Sequence, residues 1–168
     1  MKKTNSKDNQ KNVIPSKHLT IDSPIGKLTI TEHDGFITHI YFNIEIPSAI
    51  NESTSPLLLE TAKQLNEYFA GTRKTFDIPL NPQGGPFLQK VWHIMTTGLP
   101  FGTTTTYSEL ATLTGNSKAS RAVGMANNRN PIPIIIPCHR VVGKNGNLTG
   151  FRGGLSMKEI LLAHEKGN

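Results

Sequence analysis

The residues best suited to covalent chemistry in this 168-residue sequence lie side by side, as Cys138-His139-Arg140. Cys138 is the only cysteine in the sequence. A neighbouring imidazole and guanidinium lower the pKa of a thiol and favour the thiolate, which is the nucleophilic form. The competing interpretation is a silent core cysteine, because free cysteine is among the most buried residue types. The run therefore predicts a nucleophilic Cys138, with a structural role as the alternative.

The single thiol also limits which other chemistry is available. It excludes an intramolecular disulfide and a thiolate-rich zinc site, and it indicates a reducing compartment such as the cytosol. His18, His33 and His39 are spaced too loosely to form a metal site in their place, so we predict no metal.

His139 is the nearest candidate for a base, but adjacent side chains of a strand face opposite sides. Direct contact between the Cys138 sulfur and the imidazole is therefore not assured, and a bridging water is the alternative. His139 also needs a third group that holds its tautomer and stabilises its charged form. The motif thus requires one further side chain.

The segment that leads to the cysteine is apolar and rich in proline, with the sequence NPIPIIIP at residues 130–137. Proline fixes its own backbone and favours an extended conformation in the residue before it. We expect this segment to be extended and buried, and to carry Cys138 directly into the site.

Two short helices are predicted upstream of this segment. Thr106-Tyr107-Ser108-Glu109 has the capping-box pattern, and the helix that it opens ends at Gly115. A second helix from Ser117 is expected to present Lys118, Arg121 and Met125 on one face and a small apolar stripe on another, namely Ala119, Ala122, Val123 and Ala126. This arrangement is typical of a helix-turn-helix, although any helical hairpin shows the same spacing.

The earlier part of the chain reads as an antiparallel meander followed by a helix. Short alternating strands are predicted at 19–21, 27–31 and 36–42. Ser55-Pro56 opens a helix that ends at Gly71. The Pro- and Gly-rich stretch at 77–86 is a plausible linker to the helical second half.

We therefore predict an α+β chain of three parts. Residues 1–17 form a disordered basic tail, residues 18–82 form a small N-terminal α/β domain built on an antiparallel sheet, and residues 83–168 form a mainly helical C-terminal domain. The C-terminal domain is expected to contain the helix-turn-helix and to be winged-helix-like.

The charged residues are divided unevenly between these parts, and the formal net charge of the whole chain is +6. Residues 18–82 hold four basic and eight acidic side chains, whereas residues 83–168 hold nine basic and three acidic ones. Clustered basic residues indicate a nucleic-acid-binding surface on the second domain. No stretch approaches the roughly 20 apolar residues of a membrane span, and the Lys-rich N-terminus lacks the apolar region of a secretory signal.

Several motifs of the basic half, taken in their order, resemble the O6-alkylguanine-DNA alkyltransferases. They are Pro137-Cys138-His139-Arg140-Val141 after Asn130-Pro131, with Tyr107, Arg121 and the following GFRGGLSMKEILLAHE. The resemblance runs from about Phe87 to Glu165, and the N-terminal module is compatible with the variable first domain of that family.

The resemblance implies a repair protein that flips an alkylated base, O6-alkylguanine or O4-alkylthymine, out of duplex DNA. By position, Cys138 is then the alkyl acceptor, His139 activates it through water, and Glu165 orients His139. Tyr107 donates to the departing guanine, assisted by Lys158. The reaction would leave a stable thioether, so the protein would react once without turnover.

The resemblance also implies how the DNA is held. Arg121 is the finger that enters the base stack, and Asn130 braces the turn between the recognition helix and the active-site strand. The carbonyls of Cys138 and Val141 receive the exocyclic amine of the base. The predicted DNA- and substrate-binding set also includes Lys118, Ala122 and Arg152. The expected partner is double-stranded DNA. No cofactor, membrane or obligate protein partner is expected, and the protein is expected to be a cytoplasmic monomer.

Two positions depart from the pattern of the family. Phe151 stands where a tyrosine is often found, and Arg152 is bulkier than the small residue that some members have there. Both changes leave the preferred alkyl size open. Three other functions also stay open: a non-catalytic lesion sensor, a cysteine hydrolase with multiple turnover, and a helix-turn-helix regulator in which Cys138 is silent.

Overall fold

The structure is a computed structural model that describes residues 17–44 and 53–167. The predicted basic tail lies outside the described residues except for Lys17, which is the first residue of β1. The elements in chain order are β1 Lys17–Ser23, β2 Gly26–His33, β3 Phe36–Phe42, α1 Pro56–Phe69, α2 Pro86–Gly98, β4 Thr105–Thr106, α3 Tyr107–Leu113, α4 Ser120–Asn128, β5 Val141–Val142 and α5 Leu155–Glu165. The predicted α+β class is confirmed.

The N-terminal unit is a three-stranded antiparallel sheet in the order β1-β2-β3, covered by α1. The helix begins where the sequence predicts, because the Ser55 hydroxyl accepts a hydrogen bond from the Leu58 amide at 3.2 Å and Pro56 occupies the first turn. Leu58 and Leu65 are fully buried with Leu28 and Ile30 of the sheet. Apolar alternation in the strands and helical spacing in α1 thus meet in one core.

The predicted linker at 77–86 adds to the edge of the sheet. The Ile37 amide donates to the Pro79 carbonyl at 2.9 Å, and the Asn81 amide donates to the Ile37 carbonyl at 2.9 Å. Ile78 and Leu80 within it pack against the core. The segment therefore fixes the position of α2 relative to β3, because its backbone and its apolar side chains are both engaged.

The second unit contains the predicted pair of helices, α3 and α4. Thr106 and Glu109 form a complete capping box at the start of α3. The indole of Trp92 on α2 donates to the Ala126 carbonyl on α4 at 2.8 Å, which ties these helices together. Each helix of the described ranges is too short or too polar to cross a membrane.

Helix α4 begins at Ser120, three residues later than predicted. The Asn116 side chain accepts from the Lys118 amide at 3.0 Å, so the residues before α4 form a turn. The inward face of the shorter helix holds Val123 and Ala126. The assignment of Ala122 to the apolar stripe was wrong, because this residue is exposed.

Residues 130–137 are buried as predicted, but the expected extended conformation was wrong. The Asn130 side chain donates to the Ile136 carbonyl at 2.8 Å and accepts from the Ile132 amide at 3.0 Å, which folds the segment into a closed turn. Ile134 within the turn has a φ of 74°, which is strained for a β-branched residue. The turn also meets the sheet, because the Ile40 amide donates to the Pro131 carbonyl at 2.9 Å.

Candidate active site

Cys138 begins a short 3₁₀ turn, Cys138–Arg140, between the closed turn and β5. The Cys138 amide donates to the Ile136 carbonyl at 2.8 Å, and the Arg140 amide donates to the Pro137 carbonyl at 3.1 Å. Cys138 was expected on an active-site strand instead. A 3₁₀ turn has three residues per turn, so the side chains of Cys138 and His139 diverge by about 120° rather than 180°. The thiol is almost fully buried, with 3 % of its residue surface exposed.

His139 is completely buried and is held by one end of its ring. Its Nε2 lies 2.7 Å from Oε1 of Glu165. An ionised carboxylate only accepts hydrogen bonds, so Nε2 carries the proton and Nδ1 carries the lone pair. Nδ1 is buried and has no hydrogen-bond partner in the described part of the chain. The free lone pair makes Nδ1 the basic atom of this ring.

The protonation of His139 is set by competing influences. Burial lowers the pKa of His139 below its usual range, and the charges of Arg140 and Lys158 lower it further. The hydrogen bond and the negative charge of Glu165 act in the opposite direction. The net lowering keeps the imidazole neutral at neutral pH, as a proton acceptor must be.

Glu165, the last residue of α5, is the centre of a closed hydrogen-bond network. Its Oε1 accepts from His139 at 2.7 Å, from the Tyr68 hydroxyl at 2.8 Å and from Nη2 of Arg140 at 2.9 Å. Its Oε2 accepts from Nε of Arg140 at 2.8 Å and from the Gly102 amide at 3.1 Å. Burial alone would raise the pKa of Glu165, but the hydrogen bonds and charges of His139 and Arg140 hold it well below its usual range. Glu165 is therefore a fixed negative charge.

The thiol itself is not ionised in advance. Burial raises the pKa of Cys138 to about 11, although a hydrogen bond from Asn130 and the charge of Lys158 offset part of the increase. At pH 7 only about one molecule in ten thousand then carries a thiolate, because each pH unit below the pKa is a factor of ten. The positive neighbourhood expected from the sequence is thus too weak to ionise the thiol, and Cys138 needs a base that takes its proton during the reaction.

Lys158 and Tyr107 converge on the loop between β5 and α5. The buried Lys158 ammonium donates to the Val141 carbonyl at 2.6 Å and to the Thr149 carbonyl at 2.9 Å. The Tyr107 hydroxyl donates to the same Thr149 carbonyl at 3.2 Å and accepts from the Thr149 hydroxyl at 3.3 Å. Burial lowers the pKa of Lys158, and Cys138 counteracts this. The two side chains predicted to act together therefore share one acceptor.

The predicted DNA-contacting residues of α4 and the turn before it lie on an open surface. Lys118, Arg121 and Ala122 are exposed, and neither Lys118 nor Arg121 makes a side-chain hydrogen bond or ion pair within the described ranges. Gly124 of the same helix lies against the Tyr107 ring. A Cβ on Gly124 would lie 3.8 Å from the nearest carbon of that ring. This distance is ordinary van der Waals contact, so α4 packs against the start of α3 at this position.

Arg152 lies on the other side of the site, near the N-terminal sheet. It is exposed. Burial of His39 on β3 lowers the pKa of that histidine, and the charge of Arg152 lowers it further. The neighbouring Phe151 is buried against Phe42, with ring centroids 5.9 Å apart. The N-terminal sheet therefore forms one wall beside the loop that carries these two residues. No group of three or more potential metal ligands occurs among residues 17–44 and 53–167.

Three partners of Glu165 were not predicted as parts of the site from the sequence: Tyr68, Gly102 and Arg140. Tyr68 carried a usable signal, because it continues the buried stripe of α1 and a buried tyrosine hydroxyl requires a partner. Gly102 has a φ of 80°, and a Cβ there would stand 3.2 Å from the Glu165 carbonyl oxygen. Arg140 was read as a neighbour of the thiol, whereas its guanidinium pairs with Glu165.

Family comparisons cover nearly all of the described residues. Residues 17–82 match the 6-O-methylguanine DNA methyltransferase, ribonuclease-like domain, and residues 86–167 match the 6-O-methylguanine DNA methyltransferase, DNA binding domain.

Individual relatives give the same result. The methylated-DNA–protein-cysteine methyltransferase of Methanosarcina acetivorans is 46% identical over 86% of this chain and 94% of its own length. The constitutive methylated-DNA–protein-cysteine methyltransferase of Bacillus subtilis is 42% identical over 89% of this chain and 94% of its own. The crystal structure of Mycobacterium tuberculosis OGT in complex with DNA is 42% identical, with a TM-score of 0.80, and covers 90% of this chain and 93% of that one.

Proposed function

The chain belongs to the 6-O-methylguanine DNA methyltransferase family, and from this premise we propose how its residues carry out the reaction. The activity is that of a methylated-DNA–protein-cysteine methyltransferase, which repairs DNA by transferring an alkyl group to a cysteine of the protein itself. The observation that carries the assignment to residues is the burial of Cys138 beside His139, whose ring is hydrogen-bonded to Glu165. Cys138 is the only cysteine in the chain, so it is the alkyl acceptor.

The transfer begins with the thiol proton. Nδ1 of His139 takes this proton through a bridging water, while Glu165 holds Nε2–H and stabilises the positive charge that forms on the ring. The Cys138 sulfur attacks the alkyl carbon on O6 of the guanine. The new S–C bond forms as the C–O bond breaks, and the electron pair of that bond stays with the guanine.

The guanine then leaves as a neutral base when it gains a proton. Tyr107 is the proposed donor to the base, because this residue is half-buried and its hydroxyl is held only by Thr149 of the loop between β5 and α5. Lys158 supports it through the shared Thr149 carbonyl. The Val141 carbonyl accepts from Lys158 and retains a second lone pair, which suits it to receive the exocyclic amine together with the Cys138 carbonyl.

The substrate we propose is duplex DNA that contains O6-alkylguanine, and O4-alkylthymine as a second lesion. The reacting oxygen is inaccessible inside the base stack, so the nucleotide must be extruded into the site. The exposed Arg121 is the side chain that fills the gap, and Lys118 and Ala122 lie on the same surface. Asn130 keeps the turn at 130–137, which leads to Cys138, closed.

We take residues 18–82 and 83–168 as the two domains, with Arg152 at the rim between them, and the protein as a cytoplasmic monomer. The thioether on Cys138 offers water no acyl carbon to attack, so each molecule reacts once.

The experiment is a titration of the protein with an excess of duplex that contains one O6-methylguanine per molecule. We expect repaired duplex to plateau at one equivalent per protein. A yield that keeps growing beyond one equivalent would indicate a cysteine hydrolase. Binding without repair would indicate a lesion sensor, and equal binding to undamaged DNA would indicate a regulator.

A further inference from the structure

We propose that Tyr68 of α1 is a positioning residue for alkyl transfer: its hydroxyl holds the Glu165 oxygen that also binds His139, and so limits how strongly Glu165 stabilises the protonated imidazole. This inference rests on the proposed roles of His139 and Glu165. It makes the N-terminal unit part of the reaction apparatus rather than only a support for the DNA-binding unit.

The geometry places Tyr68 at the required atom. Its hydroxyl lies 2.8 Å from Oε1 of Glu165, and Nε2 of His139 lies 2.7 Å from the same oxygen. Tyr68 has no solvent exposure. Burial and the negative charge of Glu165 raise the pKa of Tyr68 above its usual range, so the hydroxyl keeps its proton and donates it into the hydrogen bond.

The ring of Tyr68 has a separate, purely packing role. It contacts four aromatic rings at centroid distances between 5.0 and 5.9 Å, those of Phe69, Phe76, Phe101 and His164. A phenylalanine would keep these contacts. The hydroxyl can therefore be removed without emptying the cavity that the ring fills.

The electrostatic consequence follows from the competition at Oε1. Each donor to this oxygen draws negative charge away from the bond to His139. The other charged or titratable groups around the pair are Arg140, Lys158, Cys138, His164 and Lys74, the last lying over the Phe101 ring at 5.6 Å. None of these is changed when the Tyr68 hydroxyl is removed. Loss of that donor leaves Glu165 a stronger acceptor, and His139 then holds its proton to a higher pH.

Tyr68→Phe is the test variant, and Thr61→Val is its matched control. Thr61 lies on the same helix, is equally buried, and its hydroxyl donates only to the Leu57 carbonyl at 2.7 Å. Both variants remove one buried hydroxyl from α1, so a general weakening of the helix should affect both alike. Only Tyr68→Phe touches Glu165.

The measurement is the single-turnover rate of alkyl transfer from an O6-methylguanine duplex between about pH 5 and about pH 9. In Tyr68→Phe we expect the acid limb of the profile to move to higher pH by about half a unit to one unit. The free energy of one pKa unit is somewhat smaller than that of one hydrogen bond to a charged group, and only part of that bond acts on His139. Thr61→Val should retain the wild-type profile. An unmoved profile in Tyr68→Phe, or an equal movement in both variants, overturns the proposal.

A second readout separates this proposal from the proposed function. The ring nitrogens of His139 are followed by nitrogen-15 NMR during a pH titration of the full-length protein without DNA, with His139→Gln used for assignment. Tyr68→Phe should raise the His139 titration midpoint or its onset, whether or not alkyl transfer occurs. If wild-type protein transfers no alkyl group but this shift is present, the proposed function fails and the role of Tyr68 in positioning stands. If transfer occurs and the shift is absent, the role of Tyr68 fails alone.

Discussion

The two sides of Cys138 differ in how completely they are built. On the Glu165 side, the carboxylate accepts five hydrogen bonds, four from the buried side chains of Tyr68, His139 and Arg140 and one from the Gly102 amide. On the Tyr107 side, the groups that would meet the substrate are sparsely held, and Arg121 is exposed without a side-chain partner in the described part of the chain. The hydrogen bonds on the Glu165 side are thus all made before a nucleobase enters the site. On the Tyr107 side, polar and charged groups remain available to the DNA.

This difference indicates how the protein divides its work. A fixed set of buried dipoles needs no reorganisation when charge moves onto His139, which favours the chemical step. Exposed cations instead serve association with the phosphate backbone, which depends on salt. Substitutions on the Glu165 side should therefore alter rate, pH dependence and stability, and substitutions of the exposed cations Lys118 and Arg121 should alter the use of duplex DNA.

The largest effect is expected from His139→Gln, which removes the proposed base while Arg140 still pairs with Glu165. The rate of alkyl transfer should fall by about 10²–10⁴-fold, the usual contribution of a general base. Affinity for DNA and its salt dependence should stay unchanged, as measured by binding titrations at several salt concentrations. A rate loss matched by an equal loss of DNA affinity would contradict the division between the two sides.

Glu165→Gln tests how far the closed network supports the fold. It leaves the buried Arg140 guanidinium without its carboxylate, so the free energy of unfolding should drop by about 3–5 kcal/mol. The pKa of Glu165 is depressed in the folded state, so its contribution is present above the unfolded value of about 4.3 and is lost as the pH falls below it.

Urea unfolding at several pH values measures both effects of this substitution. The wild-type protein should lose stability below about pH 5, with a weaker loss in Glu165→Gln. Equal acid slopes in the two proteins would show that Glu165 is not the fixed charge described above.

Arg121→Ala separates extrusion of the base from chemistry. Repair of O6-methylguanine in duplex DNA should slow by about 10–100-fold, because flipping costs a few kcal/mol that the proposed finger would offset. Reaction with the free base O6-methylguanine should change by less than about threefold, since no duplex is opened. Equal losses with both substrates would reject the finger role and contradict the separation of DNA binding from the chemical step.

The smallest effect is expected from Lys118→Ala, which removes one exposed charge beside Arg121. Affinity for duplex DNA should fall a few-fold, and the slope of log affinity against log salt should decrease by about one. The rate at saturating DNA should not change. A changed saturated rate with an unchanged salt slope would move Lys118 from the DNA surface to the reaction site.

Local sequence signals predicted a large part of this architecture. The capping box at Thr106, the helix start at Ser55 and the three strands were found where expected, because each depends on residues adjacent in sequence. The turn at 130–137 was missed because the Asn130 side chain closes it, and prolines alone favoured extension.

The site was predictable only where it is a contiguous motif. Cys138 and His139 are adjacent, and Glu165 was placed by the family resemblance rather than by any local pattern. Tyr68 lies 97 residues from Glu165 in sequence, so only the contact between the last turns of α1 and α5 brings them together. Side chains that act across two units of the fold leave no spacing signal in one sequence.

The most direct test of the account is the mass of the protein after reaction with an O6-methylguanine duplex. Intact mass spectrometry should show a gain of one methyl group in place of one hydrogen, at no more than one per molecule. Peptide mapping should locate it on Cys138, and Cys138→Ala should show no gain and no repair. A methyl group on another residue, repair without any gain in mass, or a reactive Cys138→Ala protein would contradict the account.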